Sequence, residues 1–145
     1  MKPLIRSATA EDRPAIRALL EQERLPVSDL DSSHARFLVA CAGAQRLGAV
    51  ALEVHGEAGL LRSLVVAGPW RGRGLARSLV KSLERQARAA GIRELWLLSE
   101  SAVGLFARLD YRESARTAAP AAVQASGEFR TLCPASARCM RKALA

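Results

Sequence analysis

Residues 64–76 read LVVAGPWRGRGLA, and this stretch decides the predicted fold. A β-branched run ends at Gly68-Pro69, and a glycine-punctuated turn then leads into a long amphipathic helix. Gly72 and Gly74 allow left-handed backbone dihedrals and the close approach of a ligand. The first amides of a helix have no internal partners and lie at the positive end of the helix dipole. The stretch therefore predicts a strand, a turn suited to hold a pyrophosphate, and a helix.

This turn matches neither of two common nucleotide-binding motifs. The chain contains no Walker sequence G-x-x-x-x-G-K-[ST]. A dinucleotide fingerprint needs a third glycine after the first strand, whereas this turn follows a predicted meander. Arg71, Arg73 and Arg77 surround the turn with guanidinium groups, which bind oxyanions through several N–H donors. The turn thus favours a phosphorylated ligand of another class.

The hydrophobic pattern on both sides of the turn predicts one mixed sheet. Strands are expected at Leu4–Ser7, Arg36–Ala42, Leu47–Val54, Leu60–Ala67, Glu94–Leu98, Tyr111–Ser114 and Ala137–Leu144. Helices are expected after the capping box Thr9-Ala-Glu-Asp12 and at Arg71–Ala90, Ser101–Leu109 and Pro120–Ser126. Leu25–Asp31 is expected to be a loop or a short helix. This order indicates an α/β protein (an α+β mixed sheet), mostly antiparallel, with helices on its faces.

Length and composition are those of one globular domain, covering residues 1–145. Half of the 145 residues are hydrophobic and a quarter are charged, which argues against disorder, a coiled coil or a disulfide scaffold. No window approaches about 18 uncharged apolar residues, so we expect no membrane span. Charges interrupt the apolar residues near the N-terminus, so no signal-peptide core is expected and a cytoplasmic location is the default prediction.

The net charge of +8 comes from 19 arginines and three lysines against 14 acidic residues. Such a chain suits an anionic partner: nucleic acid, an acidic protein, a phosphorylated cofactor or an anionic metabolite. An arginine- and alanine-rich coding bias explains the same excess. Only six residues are aromatic and the arginines are dispersed, so we expect no nucleic-acid partner. Cys41, Cys133 and Cys139 lack zinc-site spacing and nearby histidines, so no metal is expected, and Cys41 is predicted to pack as a small hydrophobe.

In the strand and glycine turn of residues 64–76 the chain resembles a known superfamily, the GCN5-related N-acetyltransferases (GNAT). Arg71-Gly-Arg-Gly74-Leu-Ala76 matches their coenzyme A motif Q/R-x-x-G-x-G/A, and the stretch from Leu64 to Pro69 is similar to their fourth strand. The resemblance extends over nearly the whole chain in the order of its elements. It implies the acyl-CoA N-acyltransferase (GNAT) fold and direct transfer of an acetyl group from acetyl-CoA to an amine.

The resemblance also implies where the cofactor lies. The amides of residues 71–76 would hold the pyrophosphate, and the pantetheine arm would lie beside residues 64–66 like an additional strand. The Leu64 amide would stabilise the oxyanion that develops on the thioester carbonyl. The cofactor-binding residues predicted in this way are Leu64, Val65, Val66, Arg71, Gly72, Arg73, Gly74, Leu75, Ala76, Arg77, Ser99 and Phe106.

The usual acid and base of the superfamily are both missing from this chain. Leu60 stands where many relatives have a glutamate base, Phe106 where many have a tyrosine acid, and Ser99 where many have an asparagine. Glu53 and Glu100 are the carboxylates expected near the cleft, either for water-relayed deprotonation or as solvated surface groups. The predicted catalytic residues are Leu64, Ser99 and Glu53, whereas Tyr111 is predicted to pack rather than to act as the acid.

A closer resemblance concerns the substrate. Residues 60–66 (LLRSLVV) and 128–140 (EFRTLCPASARCM) are similar to the arsenic-resistance-associated N-acetyltransferases, which themselves resemble amino-acid acetyltransferases that make N-acetylglutamate. The acceptor expected from this is a small anionic amine, such as an amino acid or an arsenic- or phosphinate-containing analogue. Strand alternation predicts Arg62 on the same face as Leu64 and Val66. A buried arginine needs an anion, which would be either a substrate carboxylate or a structural one such as Glu53.

Other residues of the C-terminal string keep two interpretations each. By resemblance Ser136 would bond a substrate carboxylate, or it is a turn serine after Pro134. Cys133 and Cys139 are arsenite ligands or structural thiols.

The two histidines of the chain, His34 and His55, are predicted to be surface or turn residues.

Two alternative functions stay open for this chain. One is a peptide or protein N-terminal acetyltransferase, and the other is a non-catalytic acyl-CoA sensor. The resemblance also allows a homodimer.

Overall fold

A seven-stranded sheet forms the centre of the computed structural model, which describes residues 2–132 and 134–144 and all of their side chains except those of 131 and 132. Its order is β1-β2-β3-β4-β5-β7-β6, and every neighbouring pair is antiparallel except β4 and β5. The predicted mixed, mostly antiparallel sheet is confirmed. The strands are β1 (Leu4–Ser7), β2 (Arg36–Ala42), β3 (Gln45–His55), β4 (Ala58–Val66), β5 (Glu94–Ser99), β6 (Arg112–Glu113) and β7 (Arg138–Ala143).

Helices cover both faces of the sheet. The helices are α1 (Arg13–Gln22), α2 (Leu75–Ala89), α3 (Val103–Arg108) and α4 (Ala121–Gln124). The apolar stripe of α2, which includes Leu79 and Leu83, packs with Phe106 of α3 in one buried cluster. On the opposite face Leu20 of α1 and Val123 of α4 belong to two smaller clusters. The three are named the α2, α1 and α4 clusters after these helices. In the described part of the chain no helix is long and apolar enough to cross a membrane.

The predicted start of the long helix is wrong by four residues. Helix α2 begins at Leu75, whereas the hydrophobic pattern placed its start at Arg71. Gly72 and Gly74 have φ angles of 76° and 80°, in the left-handed region that a right-handed helix cannot contain. The glycines therefore hold residues 71–74 in a turn outside the helix.

The capping box predicted from Thr9 to Asp12 is present and fastens β1 to α1. The backbone N–H of Thr9 donates to Asp12 Oδ2 at 2.7 Å. Arg6 reaches both carboxylate oxygens at 2.7 and 2.9 Å, and Arg46 reaches Oδ1 at 3.0 Å. These bonds, chiefly those from Arg6 and then that from Thr9, hold the pKa of Asp12 well below its usual range.

The two central strands diverge, and this divergence positions the site. Strands β4 and β5 pair in parallel only where residues 58–60 lie opposite residues 94–96. Beyond that point β4 remains paired with β3, and β5 with β7. Since no other described strand fills the gap, a cleft opens between the C-terminal halves of β4 and β5.

Candidate functional site

A cavity of about 600 Å³ lies in this cleft. Leu61 to Val66 of β4 form one side, and residues 97–99 of β5 with Leu105 and Phe106 of α3 form the other. One end is closed by Arg71 and Ala76 beside the glycine turn. Residues 23–26, which follow α1, also line the cavity, with Glu23 paired to Arg71, and Arg62 and Glu128 line it away from the turn. The cavity thus joins the predicted cofactor turn to the predicted acceptor region.

Strand β4 contains a bulge at the centre of the cavity. Arg62 lies opposite Ala51 and Val65 lies opposite Ala49, so two residues of β4 face one residue of β3. Ser63, in the bulge, has a φ of 59°. The bulge reverses the alternation of side chains, and Leu64 packs with the α2 cluster whereas Val65 packs with the α1 cluster.

The bulge overturns the prediction that Arg62 shares a face with Leu64 and Val66. Before the bulge, Leu60 packs in the α4 cluster and Leu61 in the α2 cluster, so Arg62 belongs to the α4 face. Leu64 and Val66, after the bulge, belong to the α2 face. Ser63, which was predicted on the face opposite to Arg62, accepts a hydrogen bond from Arg62 Nε at 3.2 Å. Simple alternation contains no signal for this reversal.

The glycine turn presents free backbone donors. In the part of the chain that the structure describes, the N–H groups of residues 72–76 make no hydrogen bond. Gly72 and Gly74 are exposed, and a Cβ added at either position would meet no protein atom within 4 Å. Protein packing therefore does not require these glycines. Their positive φ angles and the open space above them suit a ligand that approaches the amides closely.

Arg71 differs from the rest of the predicted cradle. Its N–H donates to Gly68 O at 3.2 Å, so this amide is already used. Its guanidinium donates to Val66 O at 3.1 Å and pairs with Glu23. The cradle of free amides therefore begins at residue 72, and Arg71 joins the turn to the end of α1. Arg73 lies over the ring of Trp70 at 4.8 Å, and Arg77 lies exposed on α2.

The acceptor end of the cavity borders a buried cation with three carboxylates, here named the Arg62 cluster (Arg62, Asp29, Glu53 and Glu128). Of these residues, Arg62 and Glu128 line the cavity. Arg62 Nη1 and Nη2 donate to Asp29 at 2.5 and 2.7 Å, and Nη1 also donates to Glu53 at 2.8 Å. Glu128 lies 3.5 Å from Nε. Burial by itself lowers the pKa of Arg62, but the hydrogen bonds that it donates to Asp29 and Glu53 and the charge of Glu128 raise this pKa above its ordinary value.

Glu53 and the other predicted polar residues have partners of their own. Glu53 is buried between Arg62 and His55, whose Nε2 lies 3.0 Å from Glu53 Oε1, and it does not line the cavity. The structural carboxylate offered as one partner for Arg62 is thus present. Ser136 donates to Glu100 Oε2 at 3.1 Å, and both side chains are exposed. The roles predicted for Glu53, Glu100 and Ser136 toward a substrate stay predictions.

Ser99 and Phe106 both line the cavity. Ser99 Oγ accepts the N–H of Ala102 at 3.0 Å in the turn that precedes α3. Helix α3 begins at Val103, with Ala102 at its N-cap and no side-chain cap hydrogen bond, so the prediction that a serine at 101 starts this helix is wrong. Phe106 is buried and packs edge to face against Tyr111, with 5.2 Å between ring centroids. The Tyr111 hydroxyl donates to Glu84 Oε2 at 2.8 Å and does not line the cavity, which is the packing role expected for it.

The cysteines lie away from this chemistry or outside the described residues. Cys41 is buried in the α1 cluster, as expected for a small hydrophobe. Cys139 is buried with Trp96 and Val123, and burial raises the pKa of its thiol. Cys133 lies outside the described residues, so the suggested arsenite pair stays a prediction. Among the residues described, no group of three or more His, Cys, Asp or Glu side chains is placed to hold a metal ion.

Sequence reasoning missed two residues of the Arg62 cluster. Asp29 lies in a segment that was read only as a loop or a short helix, and no motif singles it out. Glu128 begins the C-terminal string that carried the closer resemblance, but no role was predicted for it. Its position as the first residue of that string is the signal that could have identified it.

The sequence profile of the acetyltransferase (GNAT) family matches residues 4–111. No curated protein sequence matches the chain. N-acetylglutamate synthase from Neisseria gonorrhoeae, solved with coenzyme A and N-acetyl-glutamate, has a similar fold with a TM-score of 0.85 and 20% identity. That similarity covers 100% of this chain but 36% of the synthase, so the chain spans about a third of that protein.

Two further solved structures have similar folds along almost their whole length. A Mycobacterium tuberculosis protein in complex with CoA has a TM-score of 0.82 and 21% identity, over 98% of this chain and 99% of that one. The ribosomal-protein-S18-alanine N-acetyltransferase from Escherichia coli has a TM-score of 0.77 and 17% identity, over 99% of this chain and 95% of that one. At such identities these structures show the fold.

Proposed function

The chain belongs to the acetyltransferase (GNAT) family, and from this premise we propose that it is an acyl-CoA-dependent N-acetyltransferase that moves an acetyl group from acetyl-CoA to the amine of a small anionic substrate. The observation that carries this proposal is the set of unbonded N–H groups at residues 72–76 at one end of the cavity. The branch associated with arsenic resistance stays a prediction about the substrate and is supported only by the sequence resemblance.

The cofactor would lie along the α2 end of the cavity. The free amides of residues 72–76 would bond the pyrophosphate, and Arg73 and Arg77 would add charge-assisted hydrogen bonds. Beyond Leu60 the edge of β4 toward β5 has no strand partner in the described part of the chain. The pantetheine amides would pair with the backbone of Leu64 to Val66 along this edge, as an added strand does.

The thioester would be activated at the bulge of β4. Leu64 lies in the bulge, outside the ladder register with β3, so its backbone N–H is a candidate to bind the oxyanion of the tetrahedral intermediate. Across the cavity the oxygen of Ser99 already accepts the Ala102 amide, so its hydroxyl proton is available to a cofactor or substrate atom. Neither group needs a metal to act.

The amine must lose a proton before it attacks the thioester carbonyl. At neutral pH an alkylammonium is charged, so a base or a chain of water must accept its proton. Glu100 and Glu128 line the cavity, and Glu53 lies behind Arg62. We propose that water relays the proton to this set of carboxylates, while alignment of amine and thioester supplies most of the rate.

An anionic amine is the favoured acceptor. Arg62 supplies the buried cation of the acceptor end, and a bidentate guanidinium is the usual protein ligand of a free carboxylate. The similar synthase fold solved with N-acetyl-glutamate agrees with this class.

The cofactor site is tested by reversing one charge at the turn. We expect Arg73→Glu to weaken the binding of acetyl-CoA about tenfold or more, because it replaces a charge-assisted donor with a like charge. Arg85→Glu is the matched control, since Arg85 is exposed on the same helix away from the turn. Titration calorimetry measures both. Equal affinities for the two variants would contradict the cradle.

The reaction is tested by a panel of amines, with release of coenzyme A thiol as the readout. Turnover of glutamate-like amines and not of peptides supports the proposed substrate class. Turnover of peptides alone would establish an N-terminal acetyltransferase instead. Binding of acetyl-CoA without thiol release across the panel would establish an acyl-CoA sensor.

A further inference from the structure

The segment between α1 and β2 forms part of the cavity wall and covers Arg62. Residues 23–35 contain neither helix nor strand. Residues 23–26 line the cavity, whereas Asp29, which does not line it, reaches from the same loop to the fully buried side chain of Arg62. A substrate that reaches Arg62 must therefore share the guanidinium with this loop or displace it.

Asp29 binds Arg62 in the manner of a free carboxylate ligand. Its two oxygens accept separately from Nη1 and Nη2, at 2.5 and 2.7 Å. This is the paired geometry by which arginine recognises carboxylates of small molecules. Glu53, in contrast, accepts only from Nη1, and Glu128 lies 3.5 Å from Nε. Among the three, Asp29 alone occupies both ends of the guanidinium fork.

The charge balance makes Asp29 the replaceable partner. One guanidinium faces three carboxylates, so Arg62 keeps two of them when Asp29 leaves. The Asp29 side chain is 18% exposed, whereas those of Glu53 and Glu128 are 5% and 4% exposed. Asp29 can regain water at smaller cost than either of the others. A substrate carboxylate that takes its place leaves the local charge unchanged.

The two ends of the loop are held differently. Arg24 has a φ of 56° because it ends α1 in a left-handed cap, in which its N–H donates to Glu21 O at 3.1 Å and the N–H of Leu25 donates to Leu20 O at 2.9 Å. His34 also has a φ of 56°, and a sparsely populated conformation at this end of the segment is suited to absorb the dihedral changes of loop movement. On its outer side the loop is tied by Asp31, which pairs with Arg13 and Arg17 through exposed and therefore weak ion pairs.

We infer that Asp29 is an internal stand-in for a substrate carboxylate, and that an acidic amine opens the loop by exchanging with it on Arg62. The inference rests on the proposed function and deepens it, because it names the group that the acceptor must carry. An acceptor with a two-oxygen anion, such as a carboxylate or phosphinate, displaces Asp29 and opens its own site. A neutral amine does not displace Asp29, so the loop stays closed when such an amine enters the cavity.

The first test separates the anion from the amine by limited proteolysis. Trypsin cleaves after Arg24, which is exposed at the end of the loop. Glutarate, a dicarboxylate without an amine, is expected to accelerate this cleavage in the wild-type protein several-fold. In Asp29→Ala cleavage is fast with or without glutarate. A wild-type rate that glutarate leaves unchanged would overturn the inference.

Matched variants exclude a general loosening of the loop. Asp31→Ala removes a carboxylate from the same loop that does not touch Arg62, so its cleavage rate should stay near that of the wild type. Asp29→Asn keeps the size of the side chain and should still behave as Asp29→Ala does. Equal acceleration in Asp31→Ala and Asp29→Ala would show a loosened loop and contradict the exchange.

The second test is kinetic. For Asp29→Ala we expect the KM for L-glutamate to fall about fivefold to tenfold. In this variant no loop carboxylate competes with the substrate carboxylate for Arg62. The KM values for acetyl-CoA and for a neutral amine should not change. An equal fall for the neutral amine would overturn the inference. If glutarate opens the loop but no acidic amine is acetylated, the proposed function fails and the exchange stands.

Discussion

Two of the buried charge clusters in the described part of the chain have opposite compositions. In the Arg62 cluster one cation meets three carboxylates at the acceptor end of the cavity. In the second, here named the Glu84 cluster (Glu84, Tyr111, Lys142 and Lys81), one buried carboxylate accepts from Tyr111 at 2.8 Å and from Lys142 at 3.0 Å. Lys81 lies 3.8 Å away, and no member lines the cavity.

The difference between the clusters lies in where their partners come from. Glu84 and Lys81 belong to α2 and Lys142 to β7, and Tyr111 directly precedes β6. All four are held by regular elements or beside one, so the Glu84 cluster fastens α2 to the sheet. The Arg62 cluster combines two buried partners with Asp29, which comes from a loop. The buried charges of the Glu84 cluster are therefore structural, whereas the Arg62 cluster has one partner that can exchange.

The largest effect on stability is expected for Arg62→Met, which removes the central cation of the Arg62 cluster. This change leaves three carboxylates without their buried cation, and breaking a buried pair costs about 3–5 kcal/mol. We expect the free energy of unfolding, measured by urea denaturation, to fall by that amount. A loss below about 1 kcal/mol would mean that water already hydrates these carboxylates.

Glu84→Gln is expected to have the second largest effect. It leaves Lys142 with only 11% of its side chain exposed and without its anion, at a cost of roughly 2–3 kcal/mol. Because the Glu84 cluster lies outside the cavity, the KM for acetyl-CoA should not change. Urea denaturation and steady-state kinetics measure the two quantities. A normal stability with a raised KM would refute the structural role.

Tyr111→Phe is expected to have the smallest effect. It keeps the ring contact with Phe106 and removes one hydrogen bond to Glu84, a loss of about 1.5 kcal/mol. Burial, followed by the charge of Glu84, raises the pKa of Tyr111 above its ordinary value. The native state therefore keeps this proton where the unfolded chain loses it, so stability falls as the pH rises above about 10.

Two measurements check this prediction. Thermal denaturation between pH 7 and 11 should show that Tyr111→Phe loses less stability in alkali than the wild type does. The pH profile of kcat should be the same for both proteins, since the tyrosine does not reach the cavity. A kcat profile that loses an alkaline limb in the variant would instead assign Tyr111 as the acid.

Much of the fold was predictable because local patterns decide it. The bounds predicted for β1 and β2 coincide with those observed, and the meander of β2, β3 and β4 follows from apolar runs separated by short turns. The glycines at 72 and 74 predicted a turn with free amides. Their left-handed dihedrals also explain why the apolar stripe of α2 placed the helix start too early.

The acceptor end was much less predictable. The side of the sheet on which Arg62 lies, relative to Leu64, depends on a bulge of one residue. A glycine at position 63 would have indicated a bulge, but the residue there is a serine with a positive φ. Asp29 and Arg62 are 33 positions apart, and they meet only because the loop after α1 folds over β4.

The amino-acid sequence alone determined the mixed sheet, the long helix and the amide-lined turn, since hydrophobic periodicity and glycine dihedrals are local properties. Tertiary structure alone decided the divergence of β4 and β5, the reversal of side chains at Ser63, and the choice of partners for Arg62 and Glu84. Those outcomes depend on which distant groups are buried together, and burial makes pairing of charges obligatory without specifying the partner in advance.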